Sequence, residues 1–199
     1  MIILARHGNT FEQGSTAVWV GAASDLPLTT EGHAQAKRLA AELLRRGFAP
    51  ATIISGPLQR TRASAEAVAA TVGQPVEIDA DLTELDYGAW EGLTTDAVAA
   101  RFGMEALTDW ESRLGWQACF GESEQAVDTR VRRFLDRAAT LPAPVFACTS
   151  NGILRFVRKI VEGRPAGRAA KVATGAYCLL DARAEGLRIL EWNVRPNES

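Results

Sequence analysis

The chain opens with MIILA (1–5), a short continuous apolar run that predicts a strand buried on both faces. A polar turn, RHGNT (6–10), follows, and residues 11–30 are irregular. EGHAQAKRLAAELLRRG (31–47) then places apolar residues at helical spacing, with Thr29 or Thr30 as N-cap and Gly47 as the stop. TIIS (52–55) predicts a second buried strand. GPLQRTRASAEAVAATVG (56–73) predicts a second helix, with Pro57 in its first turn and Gly73 at its end. PVEIDADL (75–82) alternates apolar and polar residues as a strand does. Residues 86–121 are rich in aromatics and turn signals, with one short helix predicted at TTDAVAARFG (94–103). SEQAVDTRVRRFLDRAATL (123–141) predicts a long amphipathic helix, PVFACTS (144–150) a third buried strand, and NGILRFVRKIVEG (151–163) the helix after it. AYCLLDA (176–182) and LRILEWN (187–193), separated by RAEG, predict a β-hairpin.

Buried strands alternating with helices predict an α/β protein with a mostly parallel sheet covered on both faces. Ligands of such sheets bind beyond the carboxyl ends of the strands. Three of those ends carry polar clusters, RHGNT, SGPLQR and TSNGILR, and a fourth cluster, TELDYGAWEG, lies after another strand. Their convergence on one pocket is the expectation.

Composition narrows the partners. The 199 residues are 47% hydrophobic and 23% charged with net charge −2, which fits one domain spanning 1–199 with a sizeable core. Without a basic excess, neither nucleic acid nor an anionic membrane surface is expected as partner. Three widely spaced cysteines, Cys119, Cys148 and Cys178, give no disulfide framework and no metal-ligand spacing. A zinc site is therefore not supported, no cofactor is expected, and the setting expected is a reducing, cytoplasmic one. Met1 runs directly into apolar residues with no basic leader, so no signal peptide is expected, and no apolar stretch approaches the roughly 20 residues of a membrane span.

The chemistry resides in the clusters. Arg6 offers a planar fork matched to phosphate oxygens, and His7 a near-neutral imidazole able to act as a nucleophile. Gly8 lets backbone approach a ligand closely, and the N–H groups of residues such as Asn9 and Thr10 favour an anion if a helix starts there. A lone RHG reads equally well as a satisfied, partly buried histidine beside a surface ion pair. From its local sequence alone, Glu84 reads as a solvated carboxylate at a strand end. One of Arg60 and Arg62 is a surface cation, and His33 falls in the exposed pattern of the first helix.

The order of motifs along the chain resembles that of the histidine phosphatase superfamily, the phosphoglycerate mutase-like family. ARHGNT stands at 5–10, LTTEGHAQA at 28–36, SGPLQRTRASA at 55–65 with Ser64 where Thr is usual, LTELDYGAWEG at 82–92, GES at 121–123 and SNGILR at 150–155. The resemblance implies a three-layer α/β/α sandwich and a small phosphorylated substrate. It implies that His7 is a nucleophile that becomes a phosphohistidine. It implies that Arg6 and Arg60 clamp the phosphoryl oxygens and that Glu84 is the general acid. Gln13 stands where the family usually has an Asn that touches phosphate. No metal is required, since the arginines supply the charge on the phosphoryl group. Specificity is expected from the segments around 11–27 and 93–120, and Trp90 is expected in the core, with Trp110 and Trp116 either core or pocket wall. The compact chain favours a phosphatase over a mutase, and a catalytically silent phospholigand-binding module is the reading from another class. Oligomeric state leaves no mark in the sequence.

One departure concerns Asn151, which stands where the resemblance implies a second histidine. Asn retains a donor N–H₂ but is neutral. Losing a preorganised donor or its charge in such a site costs about 3–4 kcal/mol of transition-state stabilisation. The N-terminus of the helix at Gly152 is expected to add backbone N–H donors. A native branch with altered preference, a degraded enzyme, or a deliberate substitution to trap a complex would each place Asn here. Persistence of Arg6, His7, Arg60 and Glu84 favours the first.

Overall fold

The computed structural model describes residues 1–164, 167–182 and 186–197. Its single six-stranded sheet is built from β1 (Ile2–Arg6), β2 (Thr52–Ser55), β3 (Val76–Ile78), β4 (Val145–Thr149), β5 (Tyr177–Asp181) and β6 (Arg188–Val194) in the order β3-β2-β4-β1-β5-β6. The first four run parallel, and β5 and β6 add an antiparallel edge. The tip of this predicted hairpin, at 183–185, lies outside the described residues.

Alternation along the strands splits the core in two. Ile3, Ala5, Ile53, Phe146 and Cys148 point to one face. There they meet α1 (Thr30–Arg45) and α2 (Gln59–Val72) through Leu39, Leu43, Ala65 and Val68. Ile2, Leu4, Ile54, Val145 and Ala147 point to the other face. They meet α5 (Glu124–Thr140) and α6 (Asn151–Glu162), with α3 (Thr95–Phe102) and α4 (Met104–Arg113) joining the same cluster through Val98, Leu107 and Trp110. Helices on both faces of the sheet make the expected three-layer α/β/α sandwich. Among the described residues, no helix is long and apolar enough to cross a membrane.

Three expectations change. Pro57 lies outside α2, whose N-cap is Leu58, because the chain bends through 57–58 before turning helical. The strand expected over 75–82 shrinks to three residues, since the Asp79 side chain accepts from the Asp81 N–H and turns Ala80–Leu82 into a 3-10 helix. Helix α4 was not foreseen in the aromatic segment, where it buries Leu107 and Trp110 at i, i+3 spacing.

Candidate active site

Strands β1 and β4 are parallel neighbours in a register that sets Arg6 beside Thr149. His7 and Ser150 therefore leave the two strands side by side. A cleft of about 530 Å³ opens at these carboxyl ends, and Arg6, His7, Asn9, Thr10, Arg60, Glu84 and Asn151 all line it.

The turn after β1 is held by backbone packing. A Cβ on Gly8 would stand 2.2 Å from the Gly32 carbonyl oxygen, and one on Gly32 equally close to that of Asn9, so two glycines let α1 press against the turn. The Gly8 N–H donates to Ser64 Oγ at 3.2 Å, tying the turn to α2. The Asn9 N–H donates to Gln35 Oε1 at 2.8 Å, which keeps it from a ligand, while Asn9 Oδ1 accepts from the Thr174 hydroxyl.

His7 is buried, and its Nδ1 lies 2.7 Å from the Gly8 carbonyl oxygen. A carbonyl can only accept, so Nδ1 carries the hydrogen and the lone pair resides on Nε2. Burial, then the charges of Arg6 and Arg60, hold the imidazole pKa well below its ordinary 6.5. His7 is thus neutral and nucleophilic near pH 7.

Arg60 is only 1% exposed, and donates through Nη1 to the Ser24 carbonyl at 2.6 Å and through Nη2 to that of Gly21 at 3.1 Å. Each of these nitrogens keeps a second hydrogen, so the fork is fixed yet able to bind. Arg6 donates through Nη1 to the Val172 carbonyl at 2.8 Å, and its buried Nε has no partner among the described residues. Arg62 and His33 face solvent.

Glu84 is buried, with Oε1 accepting from the Leu85 N–H at 2.9 Å and Oε2 from the Gly152 N–H at 3.2 Å. Burial raises its pKa above 4.5 and outweighs these hydrogen bonds and the Arg60 charge. A buried carboxyl that holds its proton more firmly suits a general acid.

Besides the Asn9 N–H, which Gln35 takes and which opens no helix, two expected contacts are not formed. Gln13 is exposed and does not line the cleft, because Glu12–Ser15 closes as a tight turn, with Gly14 at φ 83°, that carries Gln13 outward. Gly152 is likewise absent from the lining, its N–H being taken by Glu84. Asn151 does line the cleft. Its Oδ1 accepts from the Val172 N–H at 3.0 Å, which turns its N–H₂ away from Val172. The neighbouring Ser150 Oγ is buried without a hydrogen-bond partner among the described residues.

The segments expected to set specificity do wall the cleft, through Phe11 and Ala17–Val20 on one side and Thr95, Trp110 and Glu111 on the other. Trp90 lies in the core, Trp110 is both core and wall, and Trp116 is partly buried and donates to the Glu122 carbonyl at 3.1 Å. Sequence reasoning missed Tyr87, Lys171, Thr174 and, above all, Arg155. A charged residue inside the apolar run ILRFV was the available signal for Arg155. Among the described residues, no group of three or more His, Cys, Asp or Glu side chains is placed to hold a metal ion.

The chain is similar to known proteins over most of its length. The solved structure of a mycobacterial glucosyl-3-phosphoglycerate phosphatase in complex with VO3 superposes with a TM-score of 0.83 over 96% of this chain and 98% of that one, at 24% identity. At that identity the likeness speaks for the fold alone. A bifunctional protein of Mycobacterium tuberculosis is 38% identical over 136 residues, which cover 68% of this chain and 36% of the relative. This chain therefore spans about a third of that relative's length. A protein of Escherichia coli named "Probable phosphoglycerate mutase" is 32% identical over 146 residues, covering 71% of this chain and 64% of that protein. The sequence model of the histidine phosphatase superfamily (branch 1) matches residues 2–195, so the chain belongs to the histidine phosphatase superfamily.

Proposed function

We propose that this chain is a metal-independent phosphatase that hydrolyses a small phosphorylated metabolite through a phosphohistidine on His7. One observation carries the reading. The Gly8 carbonyl fixes the His7 tautomer, so a neutral Nε2 with its lone pair is held in a cleft that Arg6 and Arg60 also line. In the first step His7 Nε2 attacks phosphorus, the N–P bond forms and the P–O bond to the leaving group breaks. The Glu84 carboxyl gives its proton to the departing oxygen. In the second step the Glu84 carboxylate takes a proton from water, whose oxygen attacks phosphorus and releases phosphate from His7. Through both steps the two guanidinium groups offset charge on the phosphoryl oxygens. The Asn151 N–H₂ adds a neutral donor.

Turnover of an aryl phosphate with a chelator present, measured beside His7→Ala, tests this reading. The expected result is hydrolysis by the wild type, none by the variant, and an acid-labile phosphoprotein in the wild type alone. Equal and negligible turnover in both would leave the phospholigand-binding module. The relative named as a probable mutase supports a second reading, transfer between hydroxyls of one substrate. Product analysis with a phosphoglycerate separates the two, since a mutase returns an isomer and a phosphatase returns inorganic phosphate.

A further inference from the structure

The GES stretch (121–123) does not line the cleft, yet each of its residues bears on the segment that carries Glu84. A Cβ on Gly121 would stand 2.0 Å from Asp86 Oδ2, so the glycine lets the two segments touch, and its N–H donates to the Asp86 carbonyl at 3.0 Å. Ser123 caps α5, its Oγ accepting from the Ala126 N–H at 3.2 Å. Helix α5 in turn carries Arg130, which pairs with Glu122.

The Arg130 fork is spent on this one segment. Its Nη1 donates to the Asp81 and Thr83 carbonyls, both at 2.7 Å. Its Nη2 and Nε donate to Glu122 Oε1 at 3.0 Å and Oε2 at 3.3 Å. Glu122 Oε1 also accepts from the Asp86 N–H at 3.0 Å. The Thr83 carbonyl belongs to the peptide that enters Glu84, and the Asp86 N–H to the peptide that leaves Leu85. Between these two stands the Glu84–Leu85 peptide, whose N–H donates to Glu84 Oε1 at 2.9 Å. One ion pair therefore grips the backbone on both sides of the donor that aims the carboxyl.

The pair is also sheltered, with 14% of the Arg130 side chain and 20% of the Glu122 side chain exposed. Arg133 and Arg137, on the same helix, are more exposed and meet the side chains of Asp81 and Asp79 instead of the backbone. Exposed pairs of that kind contribute little. A planar fork with several donors committed at once holds its partners in a fixed geometry.

We propose that Arg130 and Glu122 are positioning residues for the general acid, fixing the peptides that flank Glu84–Leu85 and hence the direction in which the Glu84 carboxyl meets the leaving oxygen. This rests on the phosphatase reading above and adds to it two residues outside the cleft.

The test measures kcat of Arg130→Met on an alkyl and an aryl phosphate, well below Tm. The expected result is a loss of about 10–10²-fold on the alkyl phosphate, the scale of a misplaced catalytic group. The loss on the aryl phosphate is expected to be smaller, because its leaving oxygen needs the proton less. Inhibition by inorganic phosphate, which reads the His7 and arginine clamp, is expected to stay near the wild-type value. Glu122→Gln keeps an acceptor for the Asp86 N–H and is expected to lose less than Glu122→Ala. Arg133→Met removes an ion pair between the same helix and the same segment and is expected to leave kcat unchanged. On a Glu84→Gln background, Arg130→Met is expected to add little, since residues that act through one group are not additive. Wild-type kcat in Arg130→Met overturns the proposal. So does an equal loss on both substrates, or a loss that multiplies in full on the Glu84→Gln background. If Arg130→Met does not fold, Arg130→Lys, which keeps the charge without the fork, is judged by the same outcomes. If the wild type hydrolyses neither substrate, the phosphatase reading fails, and the placement of Glu84 is read without turnover. The infrared band of its protonated carboxyl, assigned by its loss in Glu84→Gln, is then followed against pH. Burial holds the Glu84 pKa up, so the band is expected to vanish at lower pH in Arg130→Lys, where water reaches the carboxyl. An unmoved midpoint overturns the positioning role.

Discussion

Gly152 donates its backbone N–H to Glu84 Oε2 at 3.2 Å, and a Cβ on Gly152 would stand 2.3 Å from Glu84 Oε1 and 2.8 Å from the Leu85 side chain. Gly152 thus holds the Glu84 carboxyl and meets the cleft only through it. The prediction is that Gly152→Ala folds but displaces Glu84. Misplacing a catalytic group by about 1 Å costs on the order of 10²-fold. kcat on an alkyl phosphate is expected to fall by that order, with a smaller loss on an aryl phosphate, whose leaving oxygen needs the proton less. Wild-type kcat on both substrates would show that Glu84 tolerates the shift or has no part in proton transfer.

The pH dependence follows from two opposed shifts. The proposed first step needs His7 neutral and Glu84 protonated. Burial and the two arginines hold His7 well below 6.5, and burial holds Glu84 above 4.5. Activity is therefore lost on the acid side only as pH falls through the depressed His7 value, and on the alkaline side as pH rises through the elevated Glu84 value. A bell-shaped profile of kcat/KM is expected, its acid limb well below 6.5 and its alkaline limb above 4.5. Glu84→Gln is expected to lose roughly 10²–10⁴-fold on an alkyl phosphate and to abolish the alkaline limb. An acid limb at or above 6.5 would contradict the buried, arginine-flanked imidazole.

Much of this arrangement was legible in the sequence, for identifiable reasons. The apolar runs of β1, β2 and β4 and the amphipathic periods of α1 and α5 are local signals, as is the Thr29 cap that accepts from the Gly32 N–H. Arg6, His7 and Arg60 sit on or beside such elements, so their motifs carried their positions. Gln13 did not follow, because the loop after β1 has no period and its turn at Glu12–Ser15 decides which way the side chain points. The direction of the Gly152 N–H depends on where Glu84 lies, 68 residues away in the chain. Arg155 hides in a helix whose stretch from Gly152 to Val157 is wholly buried, a pattern that reads as core until the cleft beside it is known.

Asn151 lines the cleft and also braces the site at one remove. Its Oδ1 accepts from the Val172 N–H at 3.0 Å, and the Val172 carbonyl accepts from Arg6 Nη1 at 2.8 Å. Asn151→Ala is expected to release Val172, loosen Arg6 and lower kcat/KM by roughly 10–10²-fold, the range of one lost preorganised contact. Asn151→Asp keeps the acceptor but brings a negative charge into the cleft, so a larger loss is expected, with weakened inhibition by inorganic phosphate as its mark. Kinetics of the two variants at one pH separate bracing from charge. Equal losses would assign no role to the neutral amide.

The final prediction concerns the close approach of α1 to the phosphate turn. The Thr29 N–H donates to the Asn9 carbonyl at 2.9 Å, and Gly8 and Gly32 leave no room for a Cβ on either side. In Gly32→Ala the new methyl would meet the Asn9 carbonyl oxygen at 2.2 Å, with backbone on both sides and no flexible side chain to yield. Overpacking of this kind costs about 1–3 kcal/mol. In a protein of this size each 1 kcal/mol lowers Tm by about 2–4 °C. Relief requires that α1 and the turn move apart, and the turn carries His7. Activity measured well below Tm is therefore expected to drop along with stability. Ala36 is buried one turn further along α1, and Ala36→Gly removes a methyl without pushing α1 away from the turn, so it is expected to lower Tm and leave kcat/KM near the wild-type value. A Gly32→Ala enzyme that loses stability alone, as Ala36→Gly does, would show that the position of His7 does not depend on this packing.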